Sequence, residues 1–351
     1  MKSFYIGNRK IGLDEKPFII AEMSGNHNHS LERALKIVEE AHNAGAHAIK
    51  LQTYTPDTMT LNVDSDDFMI KDNKSLWDGR NLYELYNEAY TPWEWHKPIF
   101  DYCKKLGMIG FSTPFDDSSV DFLESLEVPC YKIASFEMTD IPLIRKIAST
   151  RKPVIISTGM ANISEINESL KELKKNGIND IVILKCTSTY PANPNNTNLL
   201  TIPNMRDTFN VHVGLSDHTM GIGVSIASVA LGAVVVEKHF TLSRTDGGVD
   251  SAFSIEPHEL KLLVTETERA WQSLGKISYG PSESELKSLQ FRRSLYISND
   301  IKKGEIFTRE NVRVVRPGFG LEPKYFDLIL GKKASDDFIK GTAVTWESFS
   351  G

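Results

Sequence analysis

The sequence predicts a (β/α)8 (TIM) barrel followed by a small β-rich C-terminal domain, and three observations predict it. Short apolar runs alternate with helical stretches eight times over about 265 residues, the length such a barrel needs. Every one of the eight runs ends in polar or ionisable residues. Beyond about residue 280 the helical periodicity stops and a self-similar pattern of short β runs takes over.

The runs, in order, are "PFIIAEM" (17–23), "AHAIKLQTY" (46–54), "MIGFSTP" (108–114) and "PCYKIAS" (129–135). Then follow "PVIISTG" (153–159), "DIVILKCTS" (180–188), "VHVGLSDH" (211–218) and "VVVEKHF" (234–240). Helical stretches intervene, such as "LERALKIVEEAHNAG" (31–45), whose apolar residues recur at three and four and whose Gly45 is a stop signal. A doubly wound sheet would carry a Gly-rich turn after its first strand, and "AEMSGNHNHS" lacks that spacing.

Composition narrows the class. The chain has 351 residues, too many for one small core, with 25% charged and 40% hydrophobic residues, as in soluble globular proteins. A net charge of −6 without a long basic run argues against nucleic acid or an anionic membrane as partner. No apolar core opens the chain at "MKSFYIGNRKIG", and no window approaches the roughly 18 apolar residues of a membrane span. Cys103, Cys130 and Cys186 are widely spaced, which predicts reduced thiols and a cytoplasmic location.

The polar run ends are Glu22, Lys50 with Gln52, Ser112 with Thr113, and Lys132 with Ser135. They continue with Ser157 and Thr158, then Lys185 with Thr187 and Ser188. Ser216, Asp217 and His218 end the seventh run, and Glu237 with His239 the eighth. In a barrel these positions converge on the C-terminal mouth, where barrel enzymes keep their chemistry. Side chains two apart share a face, so Lys50 points with Gln52, Ser216 with His218, and Glu237 with His239. Lys238 points the other way and is assigned no catalytic role.

His218 and His239 end consecutive strands, about 4.8 Å apart in a sheet. Two imidazoles at one height can hold a divalent ion with positions left for water and substrate, which suits Mn²⁺ or Mg²⁺ better than structural zinc. Either histidine can instead be a hydrogen-bonded core residue. Lys50 and Lys132, with Lys185 a further candidate, stand among Ser112, Thr113, Ser135, Ser157, Ser188 and Ser216. That set suits a phosphate and a carboxylate. The alternative for either lysine is an ion pair across the barrel to Glu22 or Glu237.

In the C-terminal part, "DIKKGEIFTREN" (300–311) is echoed by "DFIKGTAVTWES" (337–348). Between them "VRPGFGLEP" (315–323) sets Arg316 in a Pro/Gly-shaped loop; from physics alone it is an ordinary surface arginine. The expected division is a catalytic barrel over 1–280, a linker over 281–293 and the small domain over 294–351.

Nine motifs in order carry a resemblance that runs essentially end to end. They are "IIAEMSGNHNHSLERA", "AGAHAIKLQTY", "FSTPFD", "YKIASFE", "ISTGM", "KCTSTYPA", "GLSDHT", "VVVEKHF" and "VRPGFG". The chain resembles the sialic acid synthase family, in which a phosphoenolpyruvate (PEP)-condensing barrel precedes an antifreeze-like (SAF) domain. "IKLQTYTPDTMTL" and "LWDGRNLYELYNEAYTPWEWH" look most like the pseudaminate-forming branch. That branch condenses PEP with 2,4-diacetamido-2,4,6-trideoxy-L-altrose. The N-acetylneuraminate and legionaminate branches are the alternatives, and a non-catalytic carbohydrate-binding protein is a remote one.

The resemblance implies PEP contacts from Lys50, Thr113, Lys132, Ser135, Ser157, Ser188 and Ser216. It implies a divalent metal on His218 and His239, and sugar contacts from Gln52, Glu137, Tyr190 and Asp250. Glu22 would stabilise a cationic centre or take a proton from water, and Glu237 would fix its neighbours. Arg316 would reach the sugar in trans, from the partner of a domain-swapped homodimer.

Overall fold

The computed structural model describes residues 1–73 and 75–350. A hairpin of β1 (Phe4–Ile6) and β2 (Arg9–Ile11) leads into eight parallel strands. These are β3 (Phe18–Glu22), β4 (Ala48–Thr53), β5 (Ile109–Pro114), β6 (Tyr131–Ile133), β7 (Val154–Ser157), β8 (Ile181–Cys186), β9 (His212–Asp217) and β10 (Val235–His239). They close in chain order, with β10 pairing with β3 so that His239 stands opposite Glu22. Each strand lies within the run that predicts it.

The helices between and after the strands are α1 (Leu31–Asn43), α2 (Pro56–Met59), α3 (Leu82–Ala89), α4 (Trp93–Lys105) and α5 (Asp117–Ser125), then α6 (Ile141–Ser149), α7 (Ile163–Lys175), α8 (Thr201–Phe209), α9 (Gly223–Ala230) and α10 (Pro257–Leu274). Their starts are chemically marked. Ser30 caps α1 by accepting from Arg33 N, and Asn162 with Glu165 forms a capping box on α7. Gly45, at φ 88°, ends the α1 segment in a conformation that L side chains rarely adopt.

Two apolar layers follow from the strand alternation. Phe18, Ile20, Ala48, Phe111, Ile155, Val182, Leu184 and Val235 fill the barrel. Ile19, Ala21, Ile49, Leu51 and Val236 face outward onto helices, packing with Ala34, Ile37, Val38 and Ala41 of α1. The hairpin, which no periodic signal announces, sends Phe4, Ile6 and Ile11 into the interior cluster beside Phe18, Ile109 and Val234. Because these partners open their strands, the hairpin plugs the N-terminal end of the barrel and leaves the other end for chemistry.

The chain divides into two compact units, Met1–Gly275 and the residues from Lys276 onward. In the second, the stretch read as a linker contains 3-10 turns over Glu283–Phe291. After it, β11 (Ser294–Ile297) pairs antiparallel with β12 (Val312–Val315) around a small core of Leu295, Ile297, Phe307, Ile329 and Val344. The two sequence echoes meet each other. Ile301 and Phe338 exchange backbone hydrogen bonds, and Asp337 accepts from Lys303 N. The β runs expected in the echoes are reduced here to isolated bridges.

Candidate active site

Four charged side chains meet at the C-terminal end of the barrel, each at most 5% exposed: Glu22, Lys50, Lys132 and Glu237. Lys50 Nζ lies 2.5 Å from Glu22 Oε2 and 3.9 Å from Glu237 Oε2. Lys132 Nζ is 3.8 Å from Glu237 Oε1 and donates to Ser157 Oγ at 2.7 Å. The cross-barrel ion pairs and the cradle are therefore one arrangement, in which two carboxyl groups stand against two lysines. Burial raises the Glu22 carboxyl to about 7, with Lys50 opposing the shift. Burial lowers Lys132. Lys50 is held above its ordinary value, since the neighbouring Glu22 and Glu237 outweigh its burial.

Hydroxyl groups line the same space. Lys50 Nζ donates to Thr113 Oγ1 at 3.3 Å, and Ser216 Oγ donates to Glu237 Oε1 at 3.0 Å. Ser135 and Ser188 face each other with oxygens 2.8 Å apart. Gly159, at φ 46°, backs this pair: a Cβ there would stand 2.3 Å from Ser135 Cβ and 2.8 Å from Ser188 Oγ. The absent side chain leaves room for the two hydroxyls to converge.

Beside the cradle stand the histidines, ring centroids 5.3 Å apart. His218 Nδ1 bonds Thr187 O at 3.0 Å, which leaves its other nitrogen free. His239 Nδ1 is buried with no hydrogen-bond partner and lies 3.8 Å from Asp250 Oδ2. Burial, reinforced by His218 and the lysines, holds His239 well below the ordinary imidazole value, so it is neutral with its lone pair available. An orphaned, neutral nitrogen beside a second imidazole and a carboxylate fits a divalent ion. Ser24 Oγ donates to Asp250 Oδ2, fixing the carboxylate toward His239.

Of the sugar-contact candidates, Tyr190 and Asp250 meet this pair and Gln52 meets Glu22. Gln52 Nε2 donates to Glu22 Oε1 at 3.1 Å. Tyr190 covers His218, with centroids 4.4 Å apart, and also meets Phe253 at 5.3 Å. Glu137 keeps a buried oxygen without a partner, and burial pushes its carboxyl up to about 7. Arg316 belongs to the second unit, where it is exposed directly after β12.

Several mouth candidates lie elsewhere. Asp217 faces the helical layer, where its Oδ2 meets Lys238 Nζ at 2.9 Å and accepts from Ser225 Oγ at 2.6 Å. Lys238 thus has a structural job on that layer. Ser112 also points outward, hydrogen-bonded to Thr53, which in turn bonds His96. Leu184 fills the interior, so alternation sends Lys185 outward, where its Nζ donates to Cys186 O. The inward position goes to Cys186, whose Sγ is 4.0 Å from His218 Nδ1 and 3.7 Å from Ser188 Oγ. Sequence reasoning missed this thiol because nothing in a single run says which parity faces in.

A further donor set lies at the start of α10. Glu256, His258 and Glu259 are, among the described residues, the one group of three potential ligands gathered within 4.8 Å. Its carboxylates are engaged: Glu256 Oε1 accepts from Arg244 N, and Glu259 Oε2 accepts from Arg244 Nη1 and Glu256 N. The cluster has metal-ligand spacing and serves as the helix cap.

Comparison with known proteins agrees with this fold. The NeuB family matches residues 37–279 and the SAF domain matches residues 292–350. A pseudaminic acid synthase of Campylobacter jejuni is 48% identical over 98% of this chain and 99% of its own. An N,N'-diacetyllegionaminic acid synthase of the same organism is 38% identical over 92% of this chain and 97% of its own. The crystal structure of an N-acetylneuraminic acid synthetase from Leptospira borgpetersenii superposes with a TM-score of 0.72 at 34% identity, covering 83% of this chain and 96% of that one. With its eight-stranded barrel, its SAF domain and its charged mouth, the chain belongs to the NeuB family of sialic acid synthases, the PEP-dependent enzymes that make nonulosonic acids.

Proposed function

We propose that the chain is a pseudaminic acid synthase, condensing PEP with the open-chain form of 2,4-diacetamido-2,4,6-trideoxy-L-altrose to give pseudaminic acid and phosphate. The observation that carries the sugar assignment is the gap between two synthases of one organism. The chain is 48% identical to the pseudaminic enzyme and 38% to the legionaminic one, over nearly the same length.

The mouth residues suit the steps. Lys50 and Lys132 hold the PEP anion, with Thr113, Ser157 and Ser216 beside them and the hydroxyls of Ser135 and Ser188 on the remaining side. His218 and His239 would hold a divalent ion, Mn²⁺ or Mg²⁺, which would supply Lewis acidity toward the aldehyde. C3 of PEP forms the new carbon–carbon bond, positive charge develops at C2, and water adds there. The resulting tetrahedral centre breaks its C–O bond and releases phosphate. Glu22, poised near 7 and held by Lys50 and Gln52, stabilises that charge and takes the proton of the attacking water. Gln52, Glu137, Tyr190 and Asp250 orient the sugar.

The reading includes a cytoplasmic enzyme, in keeping with three buried free thiols, and a domain-swapped homodimer in which the partner subunit's Arg316 completes the sugar site. Mass spectrometry of products from PEP, divalent metal and each of three acceptors tests it. Pseudaminic acid should dominate, with phosphate released only when all components are present. Faster turnover of N-acetylmannosamine or of the legionaminate precursor would overturn the assignment.

A further inference from the structure

The segment between β4 and α4 brings an aromatic side chain, Trp77, to the rings beside the histidine pair. Trp77 sits 5.8 Å from Tyr190, centroid to centroid, on a ring system that continues 4.4 Å further to His218. Its indole Nε1 donates to Val249 O at 3.2 Å, next to Asp250. The only hydrogen-bonding group of the indole is thereby used, and what the side chain can offer a ligand is its apolar ring. Phe253 completes the surface, 5.3 Å from Tyr190 and 4.9 Å from His239. Trp77 remains part-exposed although it is the largest apolar side chain of its segment.

We propose that Trp77 is a specificity-determining residue: it forms the wall against which the terminal carbon of the acceptor rests, and it selects a methyl there over a hydroxymethyl. This rests on the reading above that the aldehyde end of the sugar meets the histidine pair. With carbon–carbon bonds of about 1.5 Å, an extended six-carbon chain spans about 6 Å. Trp77 lies one ring beyond Tyr190 from His218, so an acceptor whose aldehyde meets the histidine pair and whose chain follows Tyr190 brings its far carbon within contact of the indole. A hydroxyl placed against the tied indole finds no hydrogen-bond partner on the ring itself. An apolar wall discriminates against one added hydroxyl by up to about 100-fold, which sets the scale of the effect. Because the wall touches the carbon farthest from the reacting aldehyde, its contribution is uniform binding and falls on KM more than on kcat.

The test compares 2,4-diacetamido-2,4,6-trideoxy-L-altrose with its 6-hydroxy analogue in the full-length enzyme. The same pair in the D-manno series and N-acetylmannosamine serve as further arms. The wild type should favour the methyl sugar by about 10- to 100-fold in kcat/KM. Trp77→Ala should raise KM for the methyl sugar by a similar factor, with kcat within about twofold, and bring the preference close to one. Trp77→Phe, which keeps a ring but loses the bond to Val249, should retain most of it. Circular dichroism confirms folding of each variant. Equal losses for both sugars in Trp77→Ala would mean that the indole only ties the segment to Val249, and would overturn the proposal while leaving the pseudaminic reading intact. A wild type that prefers the D-manno methyl sugar, yet loses its methyl preference in Trp77→Ala, would overturn that reading and support the wall. A wild type that prefers hydroxymethyl acceptors would overturn both.

Discussion

Replacing Asp217 by Asn separates the mouth of the barrel from its wall. Asp217 is 2% exposed and accepts from Lys238 Nζ at 2.9 Å, Ser225 Oγ at 2.6 Å, Thr219 Oγ1 at 2.7 Å and Thr219 N at 2.9 Å. Although its burial opposes ionisation, Lys238 and these donors hold the carboxyl below its usual range. The Asn side chain fits the space but leaves the Lys238 ammonium, 1% exposed, without a counter-charge. Breaking a buried pair in this way costs about 3–5 kcal/mol. With an unfolding entropy of about 2.1 cal/mol/K per residue over the barrel unit, about 4 kcal/mol becomes a fall of about 7 °C in Tm. Thermal unfolding followed by circular dichroism reads this directly. The KM for PEP and the affinity for Mn²⁺ should stay within about twofold, because no atom of Asp217 faces the cradle. Adding Lys238→Met should recover part of the loss, since a buried pair replaced by apolar groups is often neutral. An unchanged Tm with a tenfold rise in the KM for PEP would refute the outward placement of Asp217.

Three further outcomes follow from the site. His239→Ala removes the orphaned neutral nitrogen and should weaken Mn²⁺ binding by more than the 10–100-fold typical of losing an outer partner, read by calorimetry. Lys132→Ala deletes a charged hydrogen-bond donor worth about 1.5–3 kcal/mol and should raise the KM for PEP by about 10- to 150-fold. Glu137, raised to about 7 by burial, keeps a proton in the folded state that the unfolded chain releases near 4.5. Its contribution to stability is full below about pH 4.5 and is lost as pH rises through 7, a change on the order of 3 kcal/mol. Chemical denaturation of Glu137→Gln across this window should lack that fall, and a parallel pH profile for the two proteins would count against the buried, protonated carboxyl.

Much of the architecture is written locally. The alternation in "AHAIKLQTY" and the repeated turn from apolar to polar at each run end follow from neighbouring residues, and they bring Lys50, Lys132, His218 and His239 to one rim. The same local logic fails at "DIVILKCTS", where Lys185 reads as a further candidate at the mouth and Cys186 only as a reduced thiol. In the barrel Leu184 fills the interior, so Cys186 faces His218 while Lys185 turns away. Asp217, expected at the mouth, turns outward to Lys238 for the same reason. A period of two sets which residues point together but not which set points in.

The sequence by itself determined the eight strand–helix units, the polar ends of the strands, the change of pattern near residue 280 and the identity of the charged groups. Only the tertiary structure decided which parity lines the mouth, that Glu22 and Glu237 balance Lys50 and Lys132 across it, and that Trp77 meets Tyr190 from far along the chain. The division has a physical cause. Periodicity and turn chemistry act over a few residues, whereas the inward face, the desolvation that shifts a carboxyl and the contact of distant rings exist only once the sheet has closed on itself.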